Sequence, residues 1–200
     1  MSLFPQDPSL NLLPYDGMVQ YFGPVISNSE ASEYFLDLES NIPWENDEAI
    51  IFGKHIITKR MVSWYGDENF SYQYSGTTKK ALLWNQTLLK LKKIVEQISN
   101  DSFNSCLLNL YHDGSEGMSW HSDNEASLGK NTTIASVSFG AERRFCFRHK
   151  QSKKNVELLL ENGSLLLMKG ETQTNWLHSL PKSAKIRSPR INLTFRKYQV

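Results

Sequence analysis

The fold is decided by residues 105–140, SCLLNLYHDGSEGMSWHSDNEASLGKNTTIASVSFG. Within them SCLLNLY, MSWHSD and TTIASVSFG are short apolar-rich runs set apart by Gly, Asn and Asp, the pattern of strands joined by turns. Outward from that stretch the pattern continues through RRFCFRH (143–149), VELLL (156–160), SLLLMKG (164–170), WLHSL (176–180) and RINLTFR (190–196). A succession of short strands with no helix between them predicts an antiparallel sandwich or barrel, not a parallel α/β sheet.

Upstream, a helix is predicted over about 83–99. Leu88, Leu91, Val95 and Ile98 recur at helical spacing there, and Lys90, Lys92, Lys93 and Glu96 face out. A second helix starts at a Ser27 or Asn28 cap, with Glu30 and Glu33 in its first turn, and runs to about Glu39 before Pro43. Between the helices, residues 49–75 read as short β pieces, with a hairpin expected at the step Phe52-Gly53-Lys54-His55. The first 20 or so residues hold three prolines and little periodicity, and read as an extended lead-in. The expected fold class is α+β, mainly β: a jelly roll buttressed by helices.

Composition agrees with one soluble domain. The chain has 200 residues, 40% hydrophobic, 12% aromatic and 22% charged. Apolar runs reach only about four residues where a bilayer span takes about twenty, and the N-terminus lacks a basic start and an unbroken apolar stretch. Membrane and secreted classes are therefore not expected; the expected location is cytoplasmic in a bacterium or nuclear in a eukaryote. Cys106 and Cys146 lie in strand-like patterns without a CxxC, and read as reduced packing residues. The net charge of +1 hides an asymmetry: residues 1–140 carry 9 Lys+Arg and 17 Asp+Glu, residues 141–200 carry 13 and 4. A basic face for a polyanion would be hidden in that mean, as would a set of solvated loops.

His121-Ser122-Asp123 puts an imidazole and a carboxylate on one face at a strand end, because residues i and i+2 share a side. His178 lies inside another predicted strand, 55 residues beyond Asp123. Two imidazoles and one carboxylate form a facial triad that leaves open positions on Fe(II). In RINLTFR, period two puts Arg190, Asn192, Thr194 and Arg196 on one face and Ile191, Leu193 and Phe195 on the other. Two arginines turned into a small β-core need anions, and a dicarboxylate beside the metal would supply them. Asn109 and Tyr111 share a face of their own strand as further donors.

The segments NLYHDGSEGMSWHSDNE, IASVSFGAERRF, GSLLLMKGETQTNWLHSLP and SPRINLTFR closely resemble the AlkB family of Fe(II)/2-oxoglutarate-dependent dioxygenases, over about residues 48–197. The resemblance implies a double-stranded β-helix, with His121, Asp123 and His178 as iron ligands. It also implies a 2-oxoglutarate site in which Arg190 meets the distal carboxylate and Asn109, Tyr111, Asn192 and Arg196 complete the pocket. The co-substrates it implies are Fe(II), 2-oxoglutarate and O₂. The chemistry it implies is oxidative dealkylation of N-alkylated bases, releasing formaldehyde as 2-oxoglutarate becomes succinate and CO₂.

On this resemblance the chain is one dioxygenase domain over 1–200. It has a lead-in over 1–24, a nucleotide-recognition lid over about 48–78 and a jelly-roll core over about 104–197. Tyr72 and Tyr74 fall on one side of a lid strand, where they would grip a flipped base beside Ser75. Glu125 matches a position that reads the base edge. Ile51-Phe52-Gly53-Lys54 resembles an apolar finger that wedges into a base stack, with Phe52 as the wedge and Lys54, Lys59 and Arg60 placed for phosphate. The expected partner is DNA carrying alkylated bases, with RNA as the alternative, acted on by a monomer. Two other functions compete: the same oxygenase acting on a protein, lipid or small molecule, and a non-enzymatic nucleic-acid-binding module with a structural metal such as Zn²⁺.

Overall fold

The structure is a computed structural model and describes Asp7 and residues 9–51, 54–74 and 77–199. The chain runs through β1 (Met18–Pro24), α1 (Asn28–Asn41), β2 (Glu45–Ile51), β3 (Lys54–Gly66), β4 (Ser71–Tyr74), β5 (Thr77–Lys80), β6 (Leu82–Leu83) and α2 (Gln86–Ser99). It continues through β7 (Ser105–Tyr111), β8 (Met118–His121), β9 (Ile134–Gly140), β10 (Arg143–His149), β11 (Asn155–Leu160) and β12 (Ser164–Lys169). A one-turn helix α3 (Thr172–Asn175), β13 (Trp176–Leu180) and β14 (Arg190–Arg196) complete it. All eight strands expected downstream of residue 104 are present, each within a few residues of its expected bounds.

Two sheets stack. The large one has the order β1-β12-β9-β14-β7-β3-β2, with β6 alongside β3, and the small one has the order β11-β10-β13-β8. From β7 onward the chain passes back and forth between them, which winds the two sheets into a double-stranded β-helix. β4 and β5 form a separate two-stranded ribbon.

The alternation read in RINLTFR decides which side of the large sheet meets which layer. Ile191, Leu193 and Phe195 point outward into a core shared with Ala31 and Leu38 of α1 and Leu88, Leu91 and Val95 of α2. Removing that apolar surface from water, at about 25 cal/mol per Å², holds the helices against the sheet. The opposite face, between the sheets, packs Ile134, Leu166 and Met168 against Phe147, Leu160 and Trp176 at one end. Its other end opens as a cavity of about 730 Å³.

Local signals fix the helix ends. Ser27 and Glu30 form a reciprocal capping box at the start of α1. Asn85 caps α2 by accepting the Leu88 N–H, and Asn100 ends it in the left-handed region at φ 52°. The cap at Asn85 starts α2 later than the expected 83, and Leu82–Leu83 instead pair with β3. The lead-in expected over 1–24 also differs in its last seven residues. Val19 and Tyr21 bury on alternate positions, and Met18–Pro24 pair with β12 as the edge of the large sheet. Cys106 and Cys146 are free and buried, as their strand positions implied.

Candidate active site

β8 and β13 pair so that His178 stands directly opposite His121, with ring centroids 4.2 Å apart. Just past the end of β8, Asp123 turns its Oδ1 toward both, 3.7 Å from His121 Nε2 and 3.9 Å from His178 Nε2. One ligand atom from each of the three lies within 4.8 Å of the others, the spacing of groups that can share one ion.

The protonation states suit a metal. His121 Nδ1 lies 2.8 Å from the Ser119 carbonyl, so that nitrogen carries the proton and leaves the Nε2 lone pair toward Asp123. His178 is buried beneath Phe145, and burial pushes its pKa down to about 3 despite the neighbouring Asp123, which keeps the imidazole neutral. Burial alone would raise Asp123; Arg196, then His178, hold it well below the ordinary carboxylate range. The result is a neutral His178, a His121 with Nε2 turned toward Asp123 and an anionic Asp123 carboxylate converging on the cavity, a donor set that fits Fe(II) and leaves coordination positions open. A closed structural zinc site would need a fourth protein donor, and among the described residues the cluster has three members.

Across the cavity the floor is the inner face of β14, β7 and β9. Arg190, Asn192, Thr194 and Arg196 line it together with Asn109, Tyr111 and Ser136, as the period-two pattern required. Arg190 is 2% exposed, donates from Nη2 to Ser138 Oγ at 2.9 Å and lies 5.6 Å over the Tyr111 ring. Among the described residues its buried Nε has no partner, and no carboxylate is among its charged neighbours. Burial lowers its pKa to about 10, so it stays charged at neutral pH. A buried cation with a donor unspent fits a carboxylate that arrives from outside the chain.

Arg196 is already engaged: its Nη2 and Nε donate to Asp123 Oδ2 at 2.6 and 3.1 Å. Asn192 is likewise committed, its amide donating to Ser136 Oγ and the Val137 carbonyl. Neither Ser136 nor Ser138 stood out in the sequence, although both are polar positions on one face of the apolar strand IASVSFG. Arg143 carries no local signal in the sequence, where it stands beside Arg144 in a strand. It is fully buried and donates to the carbonyls of Asp113, Glu116 and Pro181, tying together the loops next to β7, β8 and β13.

The expected substrate residues are distributed differently. Glu125 is exposed and lines the cavity mouth. Arg60 does not stand out as a surface cation for phosphate: its side chain is largely buried, it pairs with Asp47 and it faces the cavity beside Tyr111. Pairing with Asp47 offsets part of the cost of taking that guanidinium out of water. Tyr72 and Tyr74 lie in β4 and Lys54 begins β3, but their side chains fall outside the described part. Phe52 and Ser75 lie outside the described residues. Part of the charge asymmetry is accounted for in the interior, since Arg143, Arg190 and Arg196 all belong to the basic C-terminal segment.

A family model described as the 2OG-Fe(II) oxygenase superfamily matches residues 18–196. The human DNA oxidative demethylase ALKBH2 is 36% identical over 201 residues, spanning 95% of this chain and 77% of that protein. The chain belongs to the AlkB family of 2OG-Fe(II) oxygenases. A bovine relative in the family, alpha-ketoglutarate-dependent dioxygenase alkB homolog 3, is 40% identical over 177 residues, covering 84% of this chain and 61% of that protein. A solved structure of OsALKBH1 superposes with a TM-score of 0.63 at 17% identity, over 92% of this chain and 98% of that one, a likeness of fold. As a member of this family the protein is an Fe(II)/2-oxoglutarate-dependent dioxygenase with O₂ as its second co-substrate. No helix among the described residues is long and apolar enough to cross a membrane.

Proposed function

We propose that this protein removes N-alkyl groups from bases of the 1-methyladenine and 3-methylcytosine type in DNA, as a direct repair of alkylation damage. The observation that carries the proposal is the His121-Asp123-His178 cluster, opening onto a cavity whose opposite wall holds Arg190 with its buried Nε unpaired among the described residues. ALKBH2, named a DNA oxidative demethylase, supports the choice of substrate. RNA is the alternative nucleic acid.

In this proposal His121, Asp123 and His178 hold the metal, and Arg190 receives the far carboxylate of 2-oxoglutarate. With O₂ and 2-oxoglutarate, bound iron supplies hydroxylation of the N-alkyl carbon, after which formaldehyde leaves and succinate and CO₂ remain. The chain's own contribution is position. Asn109 and Tyr111 offer donors from β7 to the co-substrate, and Ser138 holds the Arg190 fork in place. The neutral state of His178 spares the site a competing proton. Glu125 accepts from the edge of the extruded base at the cavity mouth, and by the family resemblance Tyr72, Tyr74 and Ser75 enclose that base. Phe52 and Lys54 contact the nucleic acid beside it, Phe52 filling the gap in the stack.

The test is a substrate panel: 3-methylcytosine and 1-methyladenine in DNA and in RNA, set beside an N-methylated lysine peptide, each with Fe(II), 2-oxoglutarate and ascorbate. Formaldehyde release from DNA above all others is expected. Release from the peptide alone would transfer the activity to another substrate class.

A further inference from the structure

We propose that Gln173 is a positioning residue for the carboxylate ligand, acting with Lys150 to clamp the turn between His121 and Asp123. The proposal rests on the reading that His121, Asp123 and His178 hold the metal.

β8 ends at His121, and residues 122–125 belong to no helix or strand. The backbone N–H of Asp123 therefore has no ladder partner, yet the residue is only 6% exposed. A buried N–H left without an acceptor loses its water partner and gains nothing in return. Gln173 supplies the acceptor: its Oε1 takes the Asp123 N–H at 2.9 Å. Gln173 is itself buried, and its Nε2 rests on the Met168 sulfur at 3.4 Å, which fixes which end of the amide faces the turn.

On the other side, Lys150 Nζ donates to Ser122 Oγ at 3.2 Å and to the Gln173 carbonyl at 2.9 Å. Both residues flanking the peptide that leads into Asp123 are thus held by side chains from α3 and the end of β10. α3 is anchored in turn. Thr172 Oγ1 accepts the Met18 N–H and donates to the Lys169 carbonyl, and the Lys150 N–H donates to the Asn175 carbonyl. The clamp is tied to β1 and β12.

The clamp opposes a specific pull. Arg196 grips Oδ2 with two donors, and a turn that could shift toward it would carry Oδ1 away from the imidazoles. Fixing the backbone at Asp123 sets where the carboxylate pivots. Contacts of this kind, one shell removed from a metal, alter metal affinity by about 10–100-fold when lost.

The experiment is a Co(II) titration of metal-free protein, followed by d–d absorption, on the native chain, Gln173→Leu, Gln173→Glu and His121→Ala. Circular dichroism melting of each metal-free protein reports folding. Gln173→Leu removes the acceptor at similar volume, and its Co(II) affinity is expected to fall about 10–100-fold. Gln173→Glu keeps an Oε acceptor for the Asp123 N–H and is expected to recover most of the loss. If Gln173→Leu titrates like the native protein while His121→Ala loses Co(II), the positioning role is overturned. It is also overturned if Gln173→Glu loses as much as Gln173→Leu, since that marks a packing effect. Native affinity in His121→Ala would instead take down the metal assignment itself. Should Gln173→Leu fail to fold, Lys150→Met against Lys150→Arg decides: weaker Co(II) binding in the first alone supports the clamp, and native binding in both overturns it.

Discussion

Arg196, at the end of β14 in the large sheet, holds the same carboxylate that faces the two histidines of the small sheet. Its guanidinium takes Asp123 Oδ2 at 2.6 and 3.1 Å, while Oδ1 stays within 3.9 Å of both imidazole nitrogens. One carboxylate thus joins the two walls of the cavity, with one oxygen neutralised by the protein and the other directed toward the metal position. Removing one partner of a buried pair costs about 3–5 kcal/mol, because the remaining charge is stranded. Arg196→Met should therefore lower the melting temperature of the metal-free protein sharply, and saturating Co(II) should restore more stability to the variant than it adds to the native chain. Equal shifts on metal addition would show that Asp123 does not depend on Arg196.

The pH dependence of that variant follows from Asp123. In the native protein its folded pKa lies below the ordinary value, against the effect of burial, chiefly through Arg196. The resulting stability is fully present above the unfolded carboxylate pKa of about 4 and is lost as pH falls. Arg196→Met forfeits that contribution at neutral pH but has little left to lose in acid. The stability gap between native and variant should hold from pH 7 to about pH 4 and narrow as pH falls below about 4, measured by chemical denaturation without metal. A gap that widens on acidification would contradict the account.

Arg190 is the clearest handle on the co-substrate. A charge-assisted hydrogen bond contributes about 1.5–3 kcal/mol, so Arg190→Met should raise the KM for 2-oxoglutarate about 10–100-fold. The KM for the oligonucleotide should change little, because Arg190 lies on the buried floor of the cavity and not at its mouth. Parallel increases in both would remove Arg190 from the co-substrate site.

For Phe52, proposed above as the residue that fills the gap in the stack, alanine should reduce demethylation of a duplex more than of a single strand. Only a duplex leaves a gap in the stack for the ring to fill. Comparing initial rates on the two forms of one oligonucleotide checks this. Equal losses would argue against a wedge.

Much of this could be read from residue order because the strands are short and regularly punctuated. In RINLTFR the two faces carry different chemistry, so period two alone separated the helix-facing residues from the cavity-facing ones. His121 and Asp123 were legible because i and i+2 share a face, and His178 because it interrupts an apolar strand. What stayed hidden depends on contacts between distant segments. Gln173 meets Asp123 across 50 residues, and Arg190 meets Ser138 across 52, distances over which no local pattern signals a pair. β3 is one long strand from Lys54 to Gly66, although Lys59 and Arg60 break its apolar pattern into two pieces. Arg60 turns into the cavity and Lys59 to solvent, so the polar step follows the fold without ending the strand. β1 is hard to read from residue order because prolines ahead of it give the pattern of an extended arm, while its burial alternates over only seven residues.

On the proposed function, the His121-Asp123-His178 cluster drives 2-oxoglutarate-dependent removal of a methyl group from a DNA base. The most direct measurement is mass spectrometry of a 3-methylcytosine oligonucleotide incubated with the native protein or Asp123→Ala, in Fe(II) and ascorbate, with and without 2-oxoglutarate. The account predicts loss of the mass of one CH₂ with the native protein and 2-oxoglutarate together, and no loss in any other arm. Equal conversion by Asp123→Ala, or conversion without 2-oxoglutarate, would contradict it.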